Sequence, residues 1–181
     1  MYQTVGVIEL KSIAKGIEAT DASLKSAGVR LIVAHAICPG KFEIMLTGSI
    51  ADVTAAIDHV KGRFADTIID TSLMGRIDPT VIAALFSTQA VAKKGALGVI
   101  ETYSAASIIK AADIAVKTAK VEIYDLRVSR GMGGKGIVLL TGEVGDVSAA
   151  VAAGANYARD LGMLNSQVVI AAPHEELWDN L

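Results

Sequence analysis

The spacing of hydrophobic residues predicts a strand and then a helix at the start of the chain. A short apolar run at residues 5–10 is typical of a buried strand. Four apolar residues then recur at helical spacing and form the face that we expect to be buried: Ile13, Ile17, Leu24 and Ala27. Ser12 is placed to cap this helix, and Gly28 is its expected stop signal.

The pattern continues with two strands, a second helix and a fourth strand. Apolar residues at positions 29, 31, 33 and 37 predict a strand with one buried side, and residues 42–46 alternate again. Pro39-Gly40 between them favours a tight turn. Five residues predict the second apolar helix face: Val53, Ala56, Ile57, Val60 and Phe64. A fourth strand at residues 67–73 completes a β-α-β-β-α-β unit, before a short tail that begins at Pro79.

The whole pattern occurs twice. The segment VGVIE at residues 5–9 returns as LGVIE at residues 97–101, 92 positions later. Matched Gly, Asp, Lys and Pro residues continue at this offset and then, after two extra residues, at an offset of 94. Chance similarity between two alanine-rich segments does not explain these matches. We therefore predict two tandem α+β domains, at residues 1–90 and 91–181, with a linker at residues 87–96.

Composition and charge narrow the class of protein. Hydrophobic residues make up 52% of the chain and aromatic residues only 4%, so small aliphatic side chains must fill the core. A net charge of −2 gives no excess of basic residues, and we expect no nucleic-acid partner. No signal peptide and no run of about 20 apolar residues is found, which favours a cytoplasmic protein without a membrane partner. A mean hydropathy of +0.47 favours self-association.

Three kinds of segment are distinctive: VGVIE and LGVIE, the helix ends DASLKSAGV and DIAVKTAKV, and the closing AAPHEELW. They resemble the domains of bacterial microcompartment (BMC) shell proteins. The resemblance covers nearly the whole chain, twice, in unpermuted order. It implies two tandem BMC domains, each a ferredoxin-like β-α-β-β-α-β unit with a short C-terminal helix, in a pseudohexameric homotrimer. It also implies a place in the microcompartment shell, beside other shell proteins.

Cys38 is the residue with the most specific chemical implication. The segment ICPGK at residues 37–41 is similar to the iron-sulfur tandem shell proteins of propanediol-utilisation compartments. The resemblance implies that this hairpin lines a central pore and that Cys38 ligates a [4Fe-4S] cluster shared by three chains. As the only cysteine, it cannot form an internal disulfide or a complete thiolate cage. The residues alone leave open that Cys38 is an inert small hydrophobe.

The second repeat carries a glycine-rich loop, GMGGKG at residues 131–136, at the matching hairpin. A phosphate site is not favoured, because Gly136 replaces the usual Ser or Thr and a strand follows instead of a helix. We expect a steric role, in which the glycines let the loops crowd around an axis. Met132 stands where the first repeat has Cys38. The expected pore-loop residues are Ile37, Pro39, Gly40, Lys41, Met132, Gly133, Gly134 and Lys135.

The remaining polar residues fit a structural protein better than an enzyme. By resemblance, Lys25 and Lys117 lie along the edge where one assembled trimer, or tile, meets the next in the shell. Asp78 stands before Pro79, where single-domain members of the family often have Arg. His35 is expected to be satisfied within the fold. No local catalytic signature is found, so we expect no catalytic residues. The predicted function is passage of electrons or cluster components across the shell, with redox proteins as partners. The alternative is a passive tile or metabolite pore without a cluster.

Overall fold

The computed structural model describes residues 4–87, 91, 95–129 and 131–181. It divides into two compact units. The first contains the chain up to Ile77 with Ser104–Ser107 and Ser129–Gly134, and the second contains Asp78–Tyr103, Ile108–Val128 and Lys135–Leu181. The predicted linker at residues 87–96 lies largely outside the described residues, and the predicted domain limit at residue 90 stays a prediction.

Each repeat forms a four-stranded antiparallel sheet. The elements of the first repeat are β1 (Thr4–Leu10), α1 (Ile13–Ser26), β2 (Arg30–Ile37), β3 (Lys41–Gly48), α2 (Ile50–Phe64), β4 (Ile68–Met74) and α3 (Pro79–Leu85). Those of the second are β5 (Ala96–Thr102), α4 (Ala105–Thr118), β6 (Val121–Val128), β7 (Gly136–Gly142), α5 (Val144–Asp160), β8 (Leu164–Ile170) and α6 (Glu175–Trp178). The strand orders are β2-β3-β1-β4 and β6-β7-β5-β8. The predicted α+β fold, with its short C-terminal helices, is confirmed.

Side-chain caps define the helix starts of the first repeat. The Ser12 hydroxyl accepts the Lys15 N–H at 3.3 Å, as the sequence predicts, and Ser49 accepts the Asp52 N–H at 3.1 Å. These caps satisfy backbone donors that the first helical turn leaves unpaired. Both helices pack on the sheet through a core of aliphatic residues and two phenylalanines: Ile8, Leu10, Ala19, Phe42, Ile44, Leu46, Val53, Ile57, Val60 and Phe64. Among the described residues, no helix is long and apolar enough to cross a membrane.

The predicted buried face of α1 is wrong for three of its four residues, and only Ala27 packs against the core. Ile13, Ile17 and Leu24 are 41%, 60% and 41% exposed. The buried residues are small ones, namely Gly16, Ala19, Thr20, Ala22 and Ser23. Small side chains occupy the buried face because they let the helix lie close to the sheet. A Cβ at Gly16 would stand only 2.3 Å from the Phe42 ring.

The predicted buried side of β2 is also only partly correct. Val29 and Ile37 are buried, but Leu31 is 42% exposed. The register against β3 shifts between Leu31 and Val33, which breaks the simple alternation of sides. An irregularity of this kind leaves no clear signal in the hydrophobic pattern.

The contact at Gly16 yields a stability prediction. We expect Gly16→Ala to lower the free energy of unfolding by about 1–3 kcal/mol, because the new methyl group meets the Phe42 ring. Gly62→Ala is the matched control, since Gly62 lies within α2 with nothing within 4 Å of an added Cβ. It should raise the free energy by about 0.5–1 kcal/mol through helix propensity. Urea unfolding measures both, and equal effects would contradict the close approach of α1.

Candidate functional site

Cys38 lies at the exposed tip of the hairpin between β2 and β3. The turn is closed by the Gly40 N–H, which donates to the Ile37 carbonyl at 3.0 Å, and the Cys38–Pro39 peptide is cis. Gly40 has a φ of +91°, a conformation that strongly favours glycine. The local sequence therefore holds the thiol on a short, sharply turned loop rather than in the core.

The glycine-rich loop of the second repeat packs on this hairpin within the first unit. The Cys38 N–H donates to the Ser129 carbonyl at 3.2 Å. A Cβ at Gly134 would stand 2.8 Å from both the Cys38 carbonyl oxygen and Pro39 Cδ. Since Gly134 also has a φ of +86°, any other residue there would be strained and would clash. Gly134 thus permits the close approach of the two loops.

Lys41 anchors the hairpin to a buried carboxylate. Its Nζ donates to Glu9 Oε1 at 2.8 Å and to the Gly134 carbonyl at 3.2 Å. Glu9 is fully buried, and its other oxygen accepts the Ala105 N–H at 2.7 Å. Burial raises the pKa of Glu9 above its ordinary value, and the nearby Glu43 carboxyl raises it further, while Lys41 and the Ala105 N–H oppose the shift.

Glu9 belongs to a row of polar residues that crosses the first sheet. Successive strands place His35 opposite Glu43, Glu43 opposite Glu9, and Glu9 opposite Asp70. His35 Nε2 lies 3.1 Å from Glu43 Oε2, which confirms that this histidine is satisfied within the fold. The row was not predicted from the sequence. The available signal was a single acidic residue within each of three strands.

The second repeat contains a more open version of the same ion pair. Lys135 Nζ donates to Glu101 Oε1 at 3.0 Å, and the Asn165 amide donates to Glu101 Oε2. The Glu101 side chain is 27% exposed, whereas that of Glu9 is fully buried. The two repeats therefore share the Glu–Lys pair and differ in what covers it.

The two lysines assigned to the tile edge have different surroundings. Lys25 pairs with Asp21 at 2.6 Å, and both side chains are largely exposed. Lys117 pairs at 2.7 Å with Asp113, which is buried and also accepts the Asp78 N–H at 2.9 Å. The position of these lysines at an edge between tiles stays a prediction.

The residues before and after the two closing prolines serve as helix caps. Asp78 caps α3 by accepting the Thr80 N–H at 2.9 Å. His174 caps α6, where its Nδ1 accepts the Glu176 N–H at 3.2 Å. The departure from the family's usual Arg at position 78 therefore supplies a local structural contact.

A single chain offers one thiolate for metal binding. In the part of the chain that the structure describes, no three His, Cys, Asp or Glu residues lie close enough together to hold a metal ion. The donor type at Cys38 fits an iron-sulfur cluster, since thiolates are its usual ligands and the thiol is exposed. The donor number does not fit within one chain, so such a cluster would need Cys38 from further copies.

Comparisons with known proteins agree with the repeat and the fold. The family profile described as BMC domain matches residues 4–77 and again residues 96–173. The bacterial microcompartment shell protein PduT of Citrobacter freundii is 41% identical over 178 residues, 98% of this chain and 97% of that protein. The carboxysome shell protein CsoS1A of Hydrogenovibrio crunogenus is 44% identical over 85 residues, 45% of this chain and 84% of that protein. A crystal structure of a microcompartments protein from Desulfitobacterium hafniense DCB has a TM-score of 0.82 and 40% identity, and the match covers 99% of each chain.

The Lys41–Glu9 pair yields a prediction for Lys41→Met. We expect the free energy of unfolding to fall by about 3 kcal/mol, because Glu9 is left buried without its cation. Lys25→Met is the control, since it removes an exposed Lys–Asp pair that contributes at most about 1 kcal/mol. Urea unfolding at one fixed chain concentration measures both variants. Equal losses would show that Lys41 does not stabilise the fold through Glu9.

Proposed function

Since the chain belongs to the BMC domain family, we propose that it is a shell protein of a bacterial microcompartment, built as a homotrimer in which six domains form a pseudohexameric tile. The tandem match to the family and the full-length likeness to PduT support this assignment. The tile lies in the microcompartment shell beside other shell proteins. Its role is structural, which the shell-protein names of two relatives support.

We propose further that three Cys38 thiolates, one from each chain, hold a [4Fe-4S] cluster on the threefold axis. The observation that carries this proposal is the exposed thiol at a hairpin tip. Three converging thiolates supply three of the four ligands such a cluster needs, and water or another small group completes the set. Met132 in the second hairpin supplies no thiolate, which limits the ring to three.

The chain's own residues position the thiol. The hydrogen bond from the Cys38 N–H to Ser129 fixes the backbone beside the thiol, and Lys41 ties the end of the turn to Glu9. When bound, the cluster supplies a one-electron redox change. The tile would then pass electrons or cluster components across the shell, with redox proteins on either side as partners.

The remaining assignments belong to the same proposal. The two BMC domains span residues 1–90 and 91–181. Lys25 and Lys117 face neighbouring tiles along the edge. The pore is lined by the two hairpins, with Ile37, Pro39, Gly40, Lys41, Met132, Gly133, Gly134 and Lys135.

A passive tile or metabolite pore without a cluster is the second candidate. It is favoured by the single thiol of each chain and by the absence of any metal-holding group among the described residues. In this case the glycine-rich loops serve only to shape an opening for small polar metabolites. Bound iron distinguishes the two candidates.

Iron and sulfide analysis of protein prepared without oxygen tests the cluster. We expect about four irons per trimer and an EPR signal on reduction. Cys38→Ser should abolish both, because it removes every thiolate of the chain, while Met132→Ser in the matching hairpin should leave both unchanged. A trimer that stays free of iron after anaerobic reconstitution would exclude the cluster and leave the passive tile.

A further inference from the structure

The first turns of α1 and α4 are equivalent in the two repeats but differ in burial. Ile17 is 60% exposed, whereas Ile109, 92 positions later, is fully buried. Ile13 is 41% exposed, whereas its counterpart Ala105 is fully buried. One copy of this helix start is therefore buried and the other is exposed, although both carry apolar residues at the same positions.

Acidic residues of the first sheet bind the start of α4, at residues 104–107. Glu9 on β1 accepts the N–H of Ala105, the first residue of α4, at 2.7 Å. Asp70 on β4 accepts the hydroxyls of Ser104 and Ser107. All five residues lie in the first unit. An acidic sheet row thus docks on a helix start, where carboxylates are favoured by the unpaired N–H groups.

On the second sheet the corresponding groups are more exposed. Glu101 on β5 occupies the position of Glu9 and carries the equivalent lysine partner, Lys135. Ser166 lies opposite Glu101 on β8, as Asp70 lies opposite Glu9 on β4, and Ser166 is exposed. Each chain therefore exposes one helix start, that of α1, and one polar sheet row, that of Glu101 and Ser166. These two surfaces correspond to the two that are in contact at Glu9 and Ala105.

We propose that the open start of α1 docks on Glu101 and Ser166 of the next copy of this chain. The Ile13 N–H donates to the Glu101 carboxylate, Ser12 lies beside Ser166, and Ile17 becomes buried. This inference rests on the proposed trimer and names its contacts. Each chain donates one helix start and accepts another, so the interface is head-to-tail, and three chains close a ring. The ring then contains three such contacts between chains, each related to the contact that Glu9 makes with Ala105 within a chain.

The exposed apolar residues at the start of α2 provide a contrast. Ile50 is 57% exposed, and its counterpart Val144, 94 positions later, is 48% exposed. Because this position is exposed in both repeats, neither repeat shows a contact that another chain could reproduce there. The proposed interface therefore does not include Ile50, which makes it a matched control.

Sedimentation equilibrium tests the contact through trimer stability. We expect Glu101→Gln and Ile17→Glu each to raise the chain concentration at half-dissociation by about tenfold or more, because each removes a buried charged hydrogen bond or apolar contact. Ile50→Glu should leave it unchanged. Circular dichroism should show the same secondary structure in all three variants, which separates loss of assembly from loss of folding.

A disulfide between chains locates the contact directly. In a Cys38→Ser background, Ser12→Cys combined with Ser166→Cys should give a three-chain species on a non-reducing gel. Ser26→Cys combined with Ser166→Cys should not, because Ser26 lies at the far end of α1. A trimeric wild type that gives no such disulfide, and that tolerates Glu101→Gln and Ile17→Glu, would overturn this inference alone. A monomeric wild type would overturn the proposed trimer instead.

Discussion

The ion pair between the buried carboxylate of Glu9 and Lys41 holds together the part of the first unit that surrounds the thiol. A carboxylate without solvent is costly unless charged and hydrogen-bonding partners surround it. Here the partners are Lys41 at the base of the hairpin and the Ala105 N–H at the start of α4, and Lys41 also reaches the Gly134 carbonyl. One side chain therefore links the central strand, the thiol-bearing hairpin, the glycine-rich loop and a helix start.

The Glu9 carboxylate also determines how the Cys38 hairpin and the glycine-rich loop lie against each other. Lys41 must stay near Glu9, which fixes the end of the turn, and Gly134 must stay near Lys41. The Cys38 backbone is held in place as well, since its N–H donates to the carbonyl of Ser129, just before the glycine-rich segment. The position of the thiol is thus set by polar contacts beneath the loop rather than by packing of the thiol itself.

The sequence predicts the elements and their order well, because the repeat presents the same periodic pattern twice and turn residues mark the boundaries. It predicts burial less well. Periodicity identifies an apolar face on α1, but the helix buries Gly16 and its small neighbours instead, since close approach to Phe42 outweighs apolar area. The acidic row escapes prediction for a related reason. A lone Glu9 in an apolar strand shows neither its register with Asp70 nor the helix start that it binds.

The divergence between Cys38 and Met132 has a consequence for stoichiometry. A ring of identical single-domain subunits must carry any given side chain at every position of its axis, or at none. Duplication within one chain removes this restriction, because a substitution in one repeat alters only every second hairpin around the axis. In the proposed tile, the gene thereby specifies three thiols among six similar hairpins, a count that six identical single domains could not reach.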